Sequence, residues 1–352
     1  MKKNLSLFLF SLIISIFLLE IIIRIVFPQS LQKYWIYHEA SYGLNINKKN
    51  YTHEIHRVKS NIAKYKFGEY HNRITNKKFK FNQDNKILIL GDSFTFGWLM
   101  NDRDTFIHKL QKDNLNYNFI NVSVAAWGSS NYTLFADLFC KDIKPKKIFV
   151  FLNTDDFHRG YKSKYYTYKD NELIKTKVDY VDNQKDSKFD KKIPFYKLLK
   201  SKSHLFMFVR NSVHNIIHEP FTVPWSREFY WARPPGKFKK DYSDKVKKYN
   251  EKIFLKLREI SNNCNSSLYL FNLLWADHTM MRDTNPNKLF LQSAKNFFTE
   301  NNFNYYEDKS KMEKLYIDPM KYIIDIDFHP NKKGTNLIYE YLKNEIKRVL
   351  SN

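Results

Sequence analysis

A serine that could act as a nucleophile, Ser93, lies in the stretch KILILGDSFTFG, residues 86–97. The four apolar residues at 87–90 have the length and branching of a strand buried on both faces. Ser93 follows just past the carboxyl end of that strand, where open α/β sheets place their sites. Its backbone N–H, near the start of a following helix, could donate to a developing oxyanion. Because serine alone is a weak nucleophile, this interpretation requires a base elsewhere in the chain.

A histidine with carboxylates beside it lies near the other end of the chain, in DIDFHPN, residues 325–331. An imidazole can take the serine proton near neutral pH and return it to a leaving group. A neighbouring carboxylate can hold the imidazole tautomer and stabilise the imidazolium. The residues therefore predict nucleophilic catalysis by Ser93, with His329 as the base and Asp327 or Asp325 as its partner.

Two further segments are predicted to end at the same edge of the sheet. Asn153 directly follows an apolar run at 147–152, and the turn VAAWG at 124–128 follows another at 119–124. A side-chain amide and a turn N–H are suitable donors to an oxyanion. We therefore expect them to act beside the N–H of Ser93.

Together these four segments resemble the conserved blocks of the SGNH hydrolases, also called the GDSL esterase family. GDSFTFG resembles the first block, with Ser93 as nucleophile, and DIDFHPNKKG resembles the last. The turn at 124–128 resembles the second block, whose glycine donates a backbone N–H, and Asn153 in FLNTDD resembles the third. The resemblance covers roughly residues 84–159 and 243–350. It implies a three-layer α/β/α, flavodoxin-like fold with a central parallel sheet of about five strands.

The sequence departs from the family pattern in two places. The family commonly has Asp three residues before the catalytic histidine, where this chain has Ile326. Asp327, two residues before it, fits an Asp-x-His variant seen in relatives that modify extracellular polysaccharide, and we prefer it to Asp325. In the second block the expected glycine position is occupied by Ala126, with Gly128 two residues further on. Which of these two N–H groups donates is left open.

The order of the other predicted elements supports a parallel sheet with right-handed crossovers. Apolar runs predict strands, and apolar residues at helical spacing predict helices between them. This alternation is interrupted by a segment at about 160–240, which contains one predicted helix around 195–218. The predicted strands are 86–91, 119–124, 147–152, 267–272 and 303–306. The predicted helices are 105–113, 131–141, 243–262, 286–300 and 331–349.

The N-terminus predicts a membrane anchor. Lys2 and Lys3 precede roughly 23 mostly apolar residues, enough to cross ~30 Å of hydrocarbon at 1.5 Å per residue. The positive flank favours a cytoplasmic N-terminus and a periplasmic or extracellular remainder. A cleaved signal peptide is the alternative, but no small-residue cleavage site follows the run. We therefore divide the chain into an anchor at 1–28, a stalk or lead-in at 29–83, and a catalytic domain at 84–352.

Composition limits the partners. The chain has 59 Lys and Arg against 36 Asp and Glu, a formal net charge of +23, which suits an anionic partner or reflects compositional drift. The basic residues are scattered and no nucleic-acid motif collects them, so we expect no nucleic-acid partner. The two cysteines allow one internal disulfide, but Cys140 lies on an apolar helical face and is interpreted as a small buried hydrophobe.

Neither a cofactor nor a metal ion is expected. His214 and His218 have the i, i+4 spacing of two ligands, but no third ligand and no zinc-peptidase glutamate accompanies them. Asp155 and Asp156 are interpreted as loop or capping residues, and Arg159 as a substrate contact or a solvated side chain.

Three functional hypotheses follow. The first is a serine esterase or O-acyltransferase acting on acyl esters, such as acetyl esters, of a cell-envelope or exported glycan. The second is a lipid or thioester acyl hydrolase. The third is a catalytically silent glycan-binding or assembly protein with the same fold.

Overall fold

A computed structural model of the chain describes residues 2–29, 31, 35–39, 41, 43–58, 61–74, 84–153, 155–169, 172–178, 195–218, 240–275, 294–324 and 329–351. The chain begins with helix α1, Lys2–Val26, followed by two antiparallel hairpins. The first hairpin pairs β1, Ile36–Glu39, with β2, Leu44–Asn47, and the second pairs β3, Thr52–Val58, with β4, Asn61–Lys66.

Five parallel strands form the central sheet in the order β11-β10-β7-β5-β6. Numbered along the chain, this is the 2-1-3-4-5 order of flavodoxin-like folds, whose switch point lies beside the first strand. The fold class predicted from the sequence is therefore confirmed. The strands are β5, Lys86–Leu90; β6, Asn118–Asn121; β7, Lys147–Leu152; β10, Ser267–Asn272; and β11, Asn304–Tyr306.

The helices predicted from helical spacing are present with two differences, and the structure adds two short helices, Asp155–Ser163 and Glu313–Ile317, that were not predicted. The predicted helix at 195–218 is two helices separated at Ser203, and the described part of the helix predicted at 286–300 is residues 294–300. The helices after α1 are α2, Ser93–Phe96; α3, Phe106–Asp113; α4, Ser129–Ile143; α5, Asp155–Ser163; α6, Tyr196–Lys202; α7, His204–His218; α8, Lys240–Asn263; α9, residues 294–300; α10, Glu313–Ile317; and α11, Lys332–Ser351. A small hairpin, β8 at Tyr166–Lys169 and β9 at Glu172–Lys175, follows α5.

Alternate residues of the central strands face two separate apolar layers. In β5, Leu88 and Leu90 pack with residues of α4 and α8, whereas Ile87 and Ile89 pack with residues of α3 and α11. Strands buried on both faces have near-continuous apolar sequences, which is why these runs could be recognised. The result is a three-layer α/β/α arrangement, with the central sheet buried on both faces.

The lead-in segment is packed against the loop that follows Ser93. Arg73 is fully buried, and its guanidinium pairs with Asp102 at 2.9 Å. It also donates to three backbone carbonyl oxygens, those of Phe96, Gly97 and Met100. A buried guanidinium is tolerated only when its donors are satisfied in this way. Residues of the lead-in therefore complete the turn that leads out of α2.

A disulfide joins Cys140 of α4 to Cys264, which follows α8, with 6.2 Å between their Cα atoms. The two helices pack side by side on one face of the sheet, which brings the sulfurs together. Cys140 is buried, as the apolar face predicts, but its interpretation as an unpaired hydrophobe is corrected by this bond.

Candidate active site

Ser93 is the first residue of α2, immediately after β5 and the two residues Gly91 and Asp92. Asp92 caps the helix, since its carboxylate accepts the N–H of Phe94 at 2.9 Å. Gly91 leaves no room for a side chain, because a Cβ there would lie 2.2 Å from Oγ1 of Thr95. The strand end, the cap and this close approach fix the Ser93 side chain at the carboxyl edge of the sheet.

His329 meets Ser93 from the far end of the chain. Its Nε2 lies 2.7 Å from Oγ of Ser93, a hydrogen bond across 236 positions of sequence. The imidazole lies against two aromatic rings, with centroids 4.8 Å away for Phe94 and 5.9 Å away for Trp98. These contacts restrict the imidazole to one side of the serine hydroxyl. The arrangement suits proton transfer from Oγ to Nε2.

The loop that carries this histidine is held by Asn331. The Asn331 carboxamide oxygen accepts the N–H groups of Lys333 and Gly334 at 2.9 and 3.0 Å, which caps α11. Its NH₂ group donates to the carbonyl oxygens of Lys321 and Ile323 at 3.0 and 2.8 Å. One side chain therefore fixes both the helix start and the strand-like segment on either side of the histidine loop.

The predicted partner carboxylates of the histidine, Asp327 and Asp325, lie outside the described residues. The choice between them therefore remains a prediction.

The predicted oxyanion donors flank Ser93 on both sides, because β6 and β7 are the two neighbours of β5 in the sheet. Within the described part of the chain, the N–H groups of Ser93 and Ala126 donate no hydrogen bond. Ala126 is exposed and has φ +64°, a left-handed conformation that explains why a glycine is expected there. The Gly128 N–H is instead donated to Oδ1 of Asn131 at 3.0 Å, as part of the cap of α4. The Gly128 N–H is therefore used within the helix cap, and Ala126 as the oxyanion donor remains a prediction.

Asn153 is buried at the end of β7, in register with the edge that carries Ser93. Its N–H donates to the Asp156 carboxylate at 2.7 Å, which fixes its backbone where the strand passes into α5. Asn153 therefore lies at the carboxyl edge of the sheet, and its role as a donor is still a prediction.

A charged cluster that sequence analysis did not predict supports the serine turn. The guanidinium of Arg159, on α5, lies 2.9 Å from the buried Asp92 carboxylate and 3.1 Å from Asp155. It is also 3.7 Å from Asp156. The only sequence signal for this cluster was the presence of an arginine shortly after Asn153. The cluster forms because α5 follows β7, the neighbour of β5 in the sheet, and so begins beside the end of β5. Arg159 thus ties the cap of α2 to the helix that follows Asn153.

Burial raises the pKa of the Asp156 carboxyl well above its usual range, and the neighbouring Asp92 charge raises it further, against Arg159. For an acid whose pKa is raised on folding, stability is greatest below the unfolded-state pKa and falls as the pH rises toward the folded-state pKa. Asp156 therefore makes the protein less stable as the pH rises above about 4.

Asp156→Asn should remove this loss, because the amide does not ionise. We expect the melting temperature of the variant, relative to the natural protein, to increase steadily between about pH 4 and 8 in detergent solution. The matched control is Asp155→Asn, which removes a carboxylate from the same arginine at a side chain that is 59% exposed. The raised pKa of Asp156 would be contradicted if the melting-temperature difference between Asp156→Asn and the natural protein did not change with pH. It would also be contradicted if the difference for Asp155→Asn increased equally with pH.

The described residues contain no group of three or more His, Cys, Asp or Glu side chains placed to hold a metal ion. The expectation that the protein needs neither a metal nor a cofactor remains a prediction.

No family model and no curated protein matches this sequence. Among solved structures, the chain is similar to a psychrotrophic esterase, EstA from Pseudoalteromonas sp., with 15% identity, a TM-score of 0.42, and coverage of 76% of this chain and 100% of that one. A member of the lipolytic protein G-D-S-L family from Veillonella parvula gives 12% identity, a TM-score of 0.42, and coverage of 75% and 98%. An acetyl xylan esterase, AlAXEase, gives 12% identity, a TM-score of 0.39, and coverage of 74% and 99%. At such low identities and TM-scores, we base the functional proposal on the geometry of the site.

Proposed function

We propose that this chain is a serine esterase of the SGNH class. The observation that carries the proposal is the 2.7 Å hydrogen bond between Nε2 of His329 and Oγ of Ser93 at the switch point of a flavodoxin-like sheet. A base in contact with a hydroxyl at a strand end is the arrangement that an activated serine nucleophile requires. The resemblance of the four sequence segments to the family blocks supports the same conclusion.

In the proposed reaction, Ser93 Oγ attacks the ester carbonyl carbon while its proton passes to Nε2 of His329. The resulting oxyanion accepts hydrogen bonds from the N–H groups of Ser93 and Ala126 and from the Asn153 side chain. The histidine then gives its proton to the departing alcohol oxygen, the ester C–O bond breaks, and an acyl-serine remains. Asp327 is proposed to orient the imidazole throughout.

The acyl-serine has two possible acceptors. Attack by water, with the histidine as base, releases a carboxylic acid and makes the protein an esterase. Attack by a sugar hydroxyl forms a new ester and makes the protein an O-acyltransferase. The two outcomes differ in whether water is excluded from the acyl-enzyme.

We propose a site of action outside the cytoplasm, on acyl esters of a cell-envelope or exported glycan. The run Asn4–Val26 in α1 is long and apolar enough to cross a membrane, by length and composition. The Cys140–Cys264 disulfide supports the same location, because disulfides persist in oxidising compartments.

The test is active-site labelling of the full chain in detergent. A fluorophosphonate probe should form one adduct, on the peptide that contains Ser93, and p-nitrophenyl acetate should be hydrolysed. Ser93→Ala should abolish the labelling, whereas Ser41→Ala, which removes an exposed serine hydroxyl, should leave it unchanged. A folded chain that is neither labelled nor active would reject the esterase and favour the glycan-binding hypothesis.

A second assay separates the acceptors once labelling has succeeded. An O-acetylated polysaccharide is incubated with the enzyme, with and without a deacetylated glycan. Free acetate in both reactions would identify an esterase, and acetylation of the added glycan would identify a transferase.

A further inference from the structure

Glu20 lies inside the apolar helix α1 and caps the N-terminus of α7, a helix of the segment at about 160–240. Its carboxylate accepts hydrogen bonds from the Ser203 hydroxyl at 2.8 Å and from the N–H groups of His204 and Leu205, both at 2.9 Å. Arg24, one turn further along α1, pairs with the same carboxylate at 3.0 Å. Carboxylates stabilise helix N-termini because the first N–H groups of a helix lack internal partners. Glu20 therefore joins α1 to the start of α7.

Three more contacts secure this joint. The Gln29 N–H donates to Nδ1 of His204 at 2.8 Å, and the Arg24 guanidinium donates to the Lys202 carbonyl oxygen at 3.0 Å. The rings of Phe27 and Phe208 lie 6.3 Å apart. The end of α1 and the first two turns of α7 therefore pack along each other.

The position of Glu20 sets the depth of the joint. It lies six residues before Val26, the last residue of the apolar run, which corresponds to about 9 Å along a helix. If α1 spans the membrane with Val26 at the outer boundary of the hydrocarbon, Glu20 and the start of α7 lie about 9 Å inside that boundary. An ionisable residue at that depth is expensive unless it is paired, and the three donors and Arg24 supply that pairing.

Helices α6 and α7 expose an unusual concentration of apolar side chains on the surface beside this joint. Elsewhere beyond α1 and the adjoining Phe27, the described chain exposes five large apolar residues, and only two of these, Tyr168 and Ile174, share an element, the β8–β9 hairpin. Another five lie within 195–213, and they are Phe195 at 76% exposure, Leu198 at 54%, Leu199 at 37%, Val209 at 51% and Val213 at 47%.

The charge of the same segment is of one sign. Residues 195–213 contain no Asp or Glu, and the basic residues are Lys197, Lys200, Lys202 and Arg210. Helices that combine exposed apolar side chains with lysine and arginine bind at membrane interfaces, where they bury the apolar atoms and attract anionic headgroups.

We infer that α6 and α7 lie in the outer membrane–water interface, beside α1, with the exposed apolar residues of 195–213 inserted among anionic lipid headgroups. This inference rests on the proposed membrane anchor. The surface meets the bilayer because the Glu20 joint places it at that depth, and its charge suits anionic phospholipid. The inserted segment is thereby a second membrane contact, which holds the catalytic domain against the surface.

The test uses the full chain in vesicles of phosphatidylcholine and phosphatidylglycerol. A nitroxide label is attached to a cysteine introduced at one exposed position, while the existing cysteines remain in their disulfide. Leu198→Cys and Val209→Cys report on the surface, Ile13→Cys on the middle of α1, and Ile174→Cys, 46% exposed on β9, is the matched control. Labels in lipid collide with oxygen, and labels in water collide with a soluble nickel chelate.

We expect oxygen-to-nickel accessibility ratios at positions 198 and 209 that are several-fold above the ratio at 174. If the ratios at 198 and 209 equal the ratio at 174 while position 13 lies in lipid, the inference about α6 and α7 is overturned and the proposed membrane anchor is retained. An aqueous position 13 would instead reject the anchor, and the inference with it. Shielding of 198 and 209 from both reagents would indicate a protein partner and would also overturn the inference.

A variant of the joint provides an independent check. Glu20→Ala removes the acceptor for the three α7 donors, so the nickel accessibility at position 198 should rise severalfold. The control is Ser15→Ala, whose hydroxyl bonds only to the Ser11 carbonyl within α1. Hydrolysis of p-nitrophenyl acetate by both variants verifies that the catalytic domain is folded. If the nickel accessibility at position 198 does not change in Glu20→Ala, the contacts of Glu20 do not set the depth of α6 and α7 in the membrane.

Discussion

Ser93→Ala and His329→Ala should each lower kcat for p-nitrophenyl acetate by roughly 10⁴- to 10⁶-fold, and the double variant should lose little more. Neither side chain is an effective catalyst without the other, because Oγ needs the base at 2.7 Å to release its proton. The residual rate reflects substrate binding and the oxyanion donors, which both variants retain. Steady-state kinetics of the three variants, beside the natural protein, measure the coupling.

His38→Ala is the control for the histidine variant, since this imidazole lies in the β1–β2 hairpin and bonds to Asn45. It should retain nearly full activity. Losses that multiply in the double variant would mean that Ser93 and His329 act independently, which is incompatible with the proposed acyl-enzyme mechanism. Circular dichroism of each variant excludes unfolding as the cause of lost activity.

Asp327→Asn is the second prediction with a large effect, and we expect it to reduce kcat by about 10³- to 10⁴-fold with little change in KM. In the proposed partner position, an asparagine would donate to the imidazole and so stabilise the wrong tautomer, in which Nε2 carries the proton and cannot accept one from Ser93. The rate of fluorophosphonate labelling should fall in parallel, since it depends on the same activated hydroxyl.

Asp325→Asn is the matched comparison, because it makes the same change two residues earlier. We expect at most a severalfold loss. A large loss in Asp325→Asn with a small one in Asp327→Asn would assign the partner role to Asp325 and overturn our preference. Small losses in both would mean that the imidazole is oriented without either carboxylate.

The sheet and the main pair of the site could be predicted because their signals are local. Strands buried on both faces have continuous apolar sequences, so β5, β7 and β10 were recognisable without knowledge of their neighbours. The carboxyl ends of parallel strands meet at one edge, so Ser93 and Asn153 could be placed there together. Ser93 and His329 are 236 positions apart, and their pairing was predicted from a histidine beside carboxylates just before the last predicted helix, with the resemblance of the blocks as further support.

The supporting contacts could not be predicted, because they join single residues that no periodicity relates. Arg159 was a substrate contact or a solvated side chain on sequence grounds, yet it binds the carboxylate that caps α2. Gly128 was a candidate donor, but an asparagine three residues later takes its N–H as a helix cap. Likewise, nothing local indicates that Glu20 binds the start of α7. Such pairs depend on how the elements pack, and that information is not present in any one segment.

Arg73 has a practical consequence for any shortened version of this protein. A fragment begun at residue 84, the predicted start of the catalytic domain, would retain the nucleophile and the histidine but lose this guanidinium. Three backbone carbonyls of the loop after Ser93 and the Asp102 carboxylate would lose their donor. Each buried acceptor left unpaired costs about 1–3 kcal/mol, comparable in sum to the whole stability of many domains. A shortened chain should therefore begin between the predicted anchor and the first hairpin, so that it keeps Arg73 and the rest of the segment predicted to be a stalk or lead-in.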